Sequence, residues 1–392
     1  MFSLWNYAAV IPLGLSPYFL GCMVFHYDSP YMALSVLASL VPFLFYRRKS
    51  LKAYGIVSFC GQLVMCMTYQ ASSGIYPMMV VILCFLMWIR GEESKRIFRF
   101  FWVSLFVYVE ALLIFELLLA LFVTETRENV DAAFPELKEL FPTIFENYEK
   151  YFKTFWNDMK LFWKICIGMI LLCFLGTSVW RARRNKFAAL GLSLLTLVLS
   201  ILLMFGVYPL MAKPLYVART MYGIGVLIAI LSVVVVQSCP NRFLSPFTLG
   251  KLAITALSWC FFVFSFIFGN ALFVQQEYTD MRMQEIIDDL TDLEVMKTGG
   301  TVELKVVGSI GYAPVVRNMP SDSKMLKRLL RVQLDDSQTA WGDYLLLNYY
   351  GLPVTRASET FGLEELYLES NTTYHAIYTN DTQVLVYLKD LP

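Results

Sequence analysis

At 392 residues the chain is long enough for two or more domains. Its hydrophobic fraction is 57% and its charged fraction 16%, against roughly 45–50% and about 25% in soluble proteins. A water-soluble globule, a disordered chain and a coiled coil are excluded. The net charge of +1 conceals a split: residues 275–392 hold 10 Lys+Arg and 18 Asp+Glu, whereas the first 274 hold 22 and 13. The basic residues sit in short clusters between apolar runs rather than on one face, so nucleic acid is not an expected partner.

A helix needs about 20 apolar residues to cross a bilayer. Nine runs approach that length, at about 6–25, 31–46, 54–69, 74–90, 99–123, 161–180, 187–208, 218–237 and 252–273. Arg47, Arg48, Lys49 and Lys52 follow the second; Arg90, Lys95, Arg96 and Arg99 follow the fourth. Arg181, Arg183, Arg184 and Lys186 follow the sixth, and Arg242 and Lys251 the eighth, while 26–30 and 70–73 hold no Lys or Arg. By the positive-inside rule the clusters are cytoplasmic. Nine spans then predict a cytoplasmic N-terminus and an outer segment after Phe273. No basic stretch with a cleavage site marks a signal peptide.

Residues 1–274 therefore read as a transmembrane helical domain. Its acidic outer loop, 124–160, carries Phe145, Tyr148, Phe152, Phe155, Trp156 and Met159 at the spacing of a surface-lying helix. Residues 275–392 read as an acidic outer domain. Its helical start prolongs the last span to a Thr298-Gly299-Gly300 break; helices are expected near 321–331 and 339–349, and strands at VELKVVGSI, 373–378 and 383–388. The expected fold class is a polytopic α-helical membrane protein of about nine spans with a small C-terminal α/β or α+β domain. All eight cysteines, Cys22, Cys60, Cys66, Cys84, Cys166, Cys173, Cys239 and Cys260, lie in or beside apolar runs without metal-type spacing, as core- or lipid-facing thiols do.

No phosphate-binding GxxxxGK[ST] loop and no HExxH occur, which argues against an ATP-driven pump or a zinc hydrolase. No cofactor is expected. Ionisable groups near the membrane are more informative, because burying one is costly. Asp28, beside His26 and Tyr27 in HYDSP, suits a general base on a sugar hydroxyl, or an N-cap for the Ser29-Pro30 helix start. Glu110 and Glu116 fall in the fifth run about 240° apart around a helix, so one can line a cavity while the other neutralises a basic neighbour. Lys213 and Arg219 stand on the outer side against the positive-inside trend, which suggests a bound anion such as phosphate, or cations snorkelling to the interface. Tyr216 lies between them. Asn270 and Gln275, at the outer end of the last run, either hydrogen-bond a sugar or cap the helix.

SPYFLGCMVFHYDSPYMALSVLASLVPFLF (16–45), KPLYVARTMYG (213–223), FGNALFVQQEY (268–278) and KVVGSIGYAPVV (305–316) together resemble the serotype-converting O-antigen glucosyltransferases of bacteria, the type II glucosyltransferase family. The similarity runs across nearly the whole chain. It implies a GT-C-like enzyme in the bacterial inner membrane that moves glucose from undecaprenyl-phosphate glucose to lipopolysaccharide O-antigen on the periplasmic face. A bactoprenol glucosyltransferase that makes the donor and a flippase that turns it outward are the implied partners. Asp28 matches the family's acidic position, Arg219 its arginine and Asn270 its Gly-Asn position. Family members carry further spans, and an outer loop with paired acids, ahead of the SPYFL stretch. The expectation is therefore a shortened chain in which Asp28 or a membrane glutamate serves as base, or an inactive accessory that only binds polysaccharide. A lipid-linked sugar transporter or flippase is the rival class, disfavoured because the spans are poor in polar residues at mid-depth. Acceptor selection would fall to the outer domain through Trp341, Tyr344, Tyr349 and Tyr350, unless those aromatics form that domain's own core.

Overall fold

The computed structural model describes residues 4–46, 50–122, 134–183, 185–238, 248–293, 302–320, 323–335, 345–357, 366–380 and 382–390. Arg47, Arg48, Lys49, Arg184, Cys239, Arg242, Trp341, Tyr344, the Thr298–Gly300 break and the early part of the 124–160 loop lie outside them. The chain forms two compact units, Met1–Ser265 and Phe266–Pro392.

The first unit is helical throughout. Its helices are α1 (Leu4–Leu15), α2 (Pro17–Met23), α3 (Ser29–Leu40), α4 (Pro42–Tyr46), α5 (Leu51–Thr68), α6 (Ile75–Ile89), α7 (Ser94–Phe122), α8 (Leu140–Asp158), α9 (Leu161–Arg181), α10 (Lys186–Leu203), α11 (Gly223–Ser238) and the start of α12 (Thr248–Asp292). Their beginnings follow local chemistry. The Ser50 hydroxyl accepts from the Ala53 amide at 3.2 Å, and Asn185 Oδ1 accepts from Phe187 at 2.8 Å, so both act as N-caps. Pro17 and Pro30 occupy first-turn positions of α2 and α3, where a missing N–H is harmless.

All nine apolar runs become helical, but not as nine full spans. Among the described residues seven helices are long and apolar enough to cross a membrane. The run at 6–25 is broken at Ser16, whose extended backbone precedes Pro17 and divides it into α1 and α2. The run at 218–237 folds as the 16-residue α11, preceded by a short 3₁₀ turn, Ala218–Thr220. These features suit a polytopic membrane protein. Of the seven described cysteines only Cys60 is exposed, and none is in a disulfide.

The expected surface-lying helix is α8. Phe141, Phe145 and Trp156 are exposed, while Asn147 and Tyr151 are buried. Glu146–Lys150 and Glu149–Lys153 ion pairs run along its solvated side at 2.6 and 2.5 Å.

The second unit is a five-stranded mixed sheet packed on the C-terminal part of α12. The strands are β1 (Val302–Gly308), β2 (Val354–Arg356), β3 (Tyr367–Asn371), β4 (His375–Thr379) and β5 (Gln383–Leu388), in the order β2-β1-β5-β4-β3. β1 runs parallel to β2 and β5, whereas β5, β4 and β3 are antiparallel. Met283, Ile286, Leu290 and Leu293 recur at helical spacing and meet Leu304, Val306, Val384 and Val386 from alternate strand positions. Arg282 is wholly buried beneath them. It donates to the Tyr278 hydroxyl at 2.6 Å and to the Tyr374 and Lys389 carbonyl oxygens at 2.6 and 2.9 Å. The helix expected near 339–349 appears, among the described residues, only as a π-helical turn at Leu345–Tyr349.

Candidate active site

Four segments converge at one end of the first unit: the turn 24–28 between α2 and α3, the 3₁₀ turn Gln70–Gly74, the irregular stretch 204–222, and α8. A chain of hydroxyls joins two of these segments to each other and to α3. Ser35 and Ser72 pair at 2.7 Å, and Ser72 meets the Tyr222 hydroxyl at 2.6 Å. The Ser73 hydroxyl accepts from the Val207 amide at 3.0 Å. Close backbone approach makes this possible. A Cβ on Gly74 would collide with the Leu203 carbonyl oxygen, and one on Gly223 with that of Met204.

The stretch 204–222 borrows its order from α8. Asn147 donates to the carbonyl oxygens of Pro209 and Met211 at 3.0 and 2.9 Å, and its own oxygen accepts from the Tyr216 hydroxyl at 2.6 Å. Tyr151 donates to the Leu215 carbonyl at 2.9 Å and stacks on Phe205. Tyr148 reaches Leu202 at 3.0 Å. At the far end of α8 the buried Asp158 accepts from Tyr18 of α2.

Arg219 lies where these elements meet. Its guanidinium stands 4.2 Å over the Phe25 ring, and its backbone carbonyl accepts from the Cys22 thiol. Tyr18 and Cys22 are four residues apart on α2 and so share a face, which brings Asp158 and the Arg219 backbone to neighbouring turns of one helix. Burial pushes the Tyr69 and Tyr208 phenols up from the ordinary tyrosine value, and the nearby Arg219 charge opposes this in both. Arg219 Nε is buried without a hydrogen-bond partner, and the residue forms no ion pair among the described residues. An unpaired guanidinium ringed by Phe25, Tyr69 and Tyr208 suits an anionic ligand with an apolar or sugar neighbour.

The residues singled out from sequence distribute unevenly around this cation. Asp28 occupies the N-cap position of α3, but its carboxylate makes no cap bond. Its amide donates to the Phe25 carbonyl at 3.1 Å, which ties it to the residue beneath Arg219. His26 and Tyr27 are exposed in the same turn. Lys213 is exposed in the stretch that leads to Arg219, and Tyr216 is engaged with Asn147. Glu110 and Glu116 lie exposed on α7; Glu110 is two residues, about 200°, around the helix from Tyr108, whose hydroxyl reaches the Ser73 carbonyl. Asn270 and Gln275 belong to the second unit. Asn270 is exposed, whereas Gln275 is buried and committed to that unit's fold, accepting from the Ala313 amide at 2.8 Å and donating to the Gly311 carbonyl at 3.4 Å.

Sequence reasoning missed Tyr69, Tyr208, Tyr222, Asn147 and Asp158. Only the interruption of apolar character at Tyr69–Gly74 and the aromatics after Leu203 hinted at them.

Comparison with curated proteins and with solved structures finds no match. The family model described as Glucosyl transferase GtrII matches residues 1–236, which span every element around Arg219. The chain accordingly belongs to the GtrII glucosyl transferase family, and it is a glycosyltransferase.

Proposed function

We propose that the chain transfers glucose from a polyprenyl-phosphate donor, undecaprenyl-phosphate glucose, to a hydroxyl of lipopolysaccharide O-antigen at the outer face of the bacterial inner membrane. One observation carries the proposal: Arg219, a cation that forms no ion pair among the described residues, stands beside Phe25, Tyr69 and Tyr208, where the turns 24–28 and 70–74, which hold no Lys or Arg, meet the stretch 204–222. In the reaction the acceptor oxygen attacks the anomeric carbon, its proton passes to a carboxylate, and the bond from that carbon to the phosphate oxygen breaks. Arg219 takes up the charge that develops on the leaving phosphate, with the solvated Lys213 as a second, weaker cation. Asp28, in the same turn as Phe25, is the proposed base. Its carboxylate is exposed and free of helix capping. His26, Tyr27 and Tyr216 are the proposed sugar contacts, and a donor-making transferase and a flippase the proposed partners.

The test uses the purified chain in liposomes holding undecaprenyl-phosphate glucose, with O-antigen acceptor and product read by mass spectrometry. Arg219→Gln should lower turnover about 100-fold, as loss of one preorganised charge-stabilising donor does. Arg219→Lys should fall between, since ammonium lacks the paired donors of guanidinium. Asp28→Asn should abolish product with the helical fold intact. Wild-type turnover in Arg219→Gln would overturn the assignment.

A further inference from the structure

One side of α7 packs into the first unit through Phe100, Ser104, Ala111 and Phe115. The opposite side is exposed, with Trp102, Phe106, Val109, Leu113 and Leu117 along it. Lipid suffices for those five, but not for two others. At 100° per residue all five fall inside an arc of about 120° whose edges are Glu116 and Glu110. Two carboxylates thus bracket an apolar strip just wide enough for one neighbouring helix.

Both glutamates are exposed, and neither forms a hydrogen bond or ion pair among the described residues. The basic neighbour that would neutralise one of them within the fold is not found there. Glu110 lies 11 residues beyond Arg99, the last cation of its cluster, which is about 16 Å along the axis and near the middle of a hydrocarbon core about 30 Å thick. Glu116 is about 9 Å further. An intramembrane carboxylate at that depth calls for a cation opposite it. Among the described residues a second copy of this chain supplies none. In the membrane-length helices of the first unit, Lys52, Lys95, Arg96, Arg99, Lys164, Arg181, Lys186 and Lys251 all cluster near helix ends.

We infer that the outer strip of α7 is the docking surface for a transmembrane helix of a different protein, one that carries Lys or Arg at mid-depth opposite Glu110. The apolar strip supplies packing, and the carboxylates fix depth and choice of partner, since a helix without the cation would leave them uncompensated. The inference does not depend on which sugar is transferred.

Labelled protein in liposomes would be titrated with single-span peptides of about 21 residues: leucine-rich with a central Lys, the same with a central Glu, and all-leucine. Energy transfer reports association. The Lys peptide should bind about tenfold more tightly than the all-leucine peptide, and the Glu peptide no better than the latter. Glu110→Gln should remove the Lys peptide's advantage. Equal binding of the three peptides to wild-type protein would overturn the proposal without recourse to any variant. So would a Lys advantage that survives in the Glu110→Gln, Glu116→Gln double variant. Self-association of the labelled protein that vanishes in Glu110→Gln would overturn it too, by identifying a second copy as the occupant.

Discussion

The Tyr18 hydroxyl donates to the Asp158 carboxylate at 3.1 Å across 140 residues of sequence, joining the second helix of the first unit to the end of the surface-lying helix α8. Both side chains are buried, so the bond fixes α8 against the helix whose next turn holds the Arg219 backbone. Tyr18→Phe leaves a buried carboxylate short of a donor and should cost about 1.5–3 kcal/mol. Asp158→Asn keeps an acceptor for the phenol and should cost less. Thermal unfolding in detergent checks the order of the two.

Asn147 offers a sharper contrast, because its amide uses both ends. Asn147→Asp turns two donated bonds into a carboxylate facing the carbonyl oxygens of Pro209 and Met211. It should destabilise more than Asn147→Ala, for which about 1–3 kcal/mol is expected from the partners left unsatisfied. In both variants glucosyl transfer should fall, since the freed stretch leads to Arg219. Retained turnover in a protein that melts early would show that the stretch is held by other contacts.

Gly74→Ala tests the backbone approach beneath the serine turn. The added methyl meets the Leu203 carbonyl oxygen, main chain that has no rotamer to yield, and should cost about 1–3 kcal/mol. Ala71→Gly, in the same turn but without that neighbour, should have the smaller effect on the melting temperature.

The second unit provides a pH signature. Burial, then the Asp280 carboxylate beside it, push the Tyr350 phenol up to about 12. A folded value above the unfolded one, about 10, means that the contribution is complete below pH 10 and is lost as pH rises through 12. The difference in phenolate absorbance between wild type and Tyr350→Phe should therefore rise near pH 12. A rise near pH 10 would show that Tyr350 is not packed against Asp280 as described.

Much of the helical layout was legible, because hydrophobic run length and the Lys/Arg clusters are local signals. α5, α6, α7, α9 and α10 fall close to their expected runs, and β1 and β5 follow their alternating stretches. The short edge strands β2 and β3 were not, since Val354–Arg356 and Tyr367–Asn371 are largely exposed and carry no apolar alternation. At the site, Arg219 and Asp28 stood out as charges in unusual places. Asn147 and Tyr69 did not, because what makes them matter is a partner about 60 residues or more away. Of the outer-domain aromatics, Tyr350 takes the core alternative and is packed against the second unit's core, whereas Tyr349 remains exposed.

The backbone of 209–215 is held by side chains of α8 rather than by its own ladder, through Asn147 on Pro209 and Met211 and Tyr151 on Leu215. Those bonds are made to carbonyl oxygens, which every amino acid possesses. The loop can therefore change its own side chains at Ala212, Lys213 and Pro214 without forfeiting its shape, while the inward residues of α8 have no such freedom. The side chains of one segment can drift while the information that shapes that segment stays locked in another.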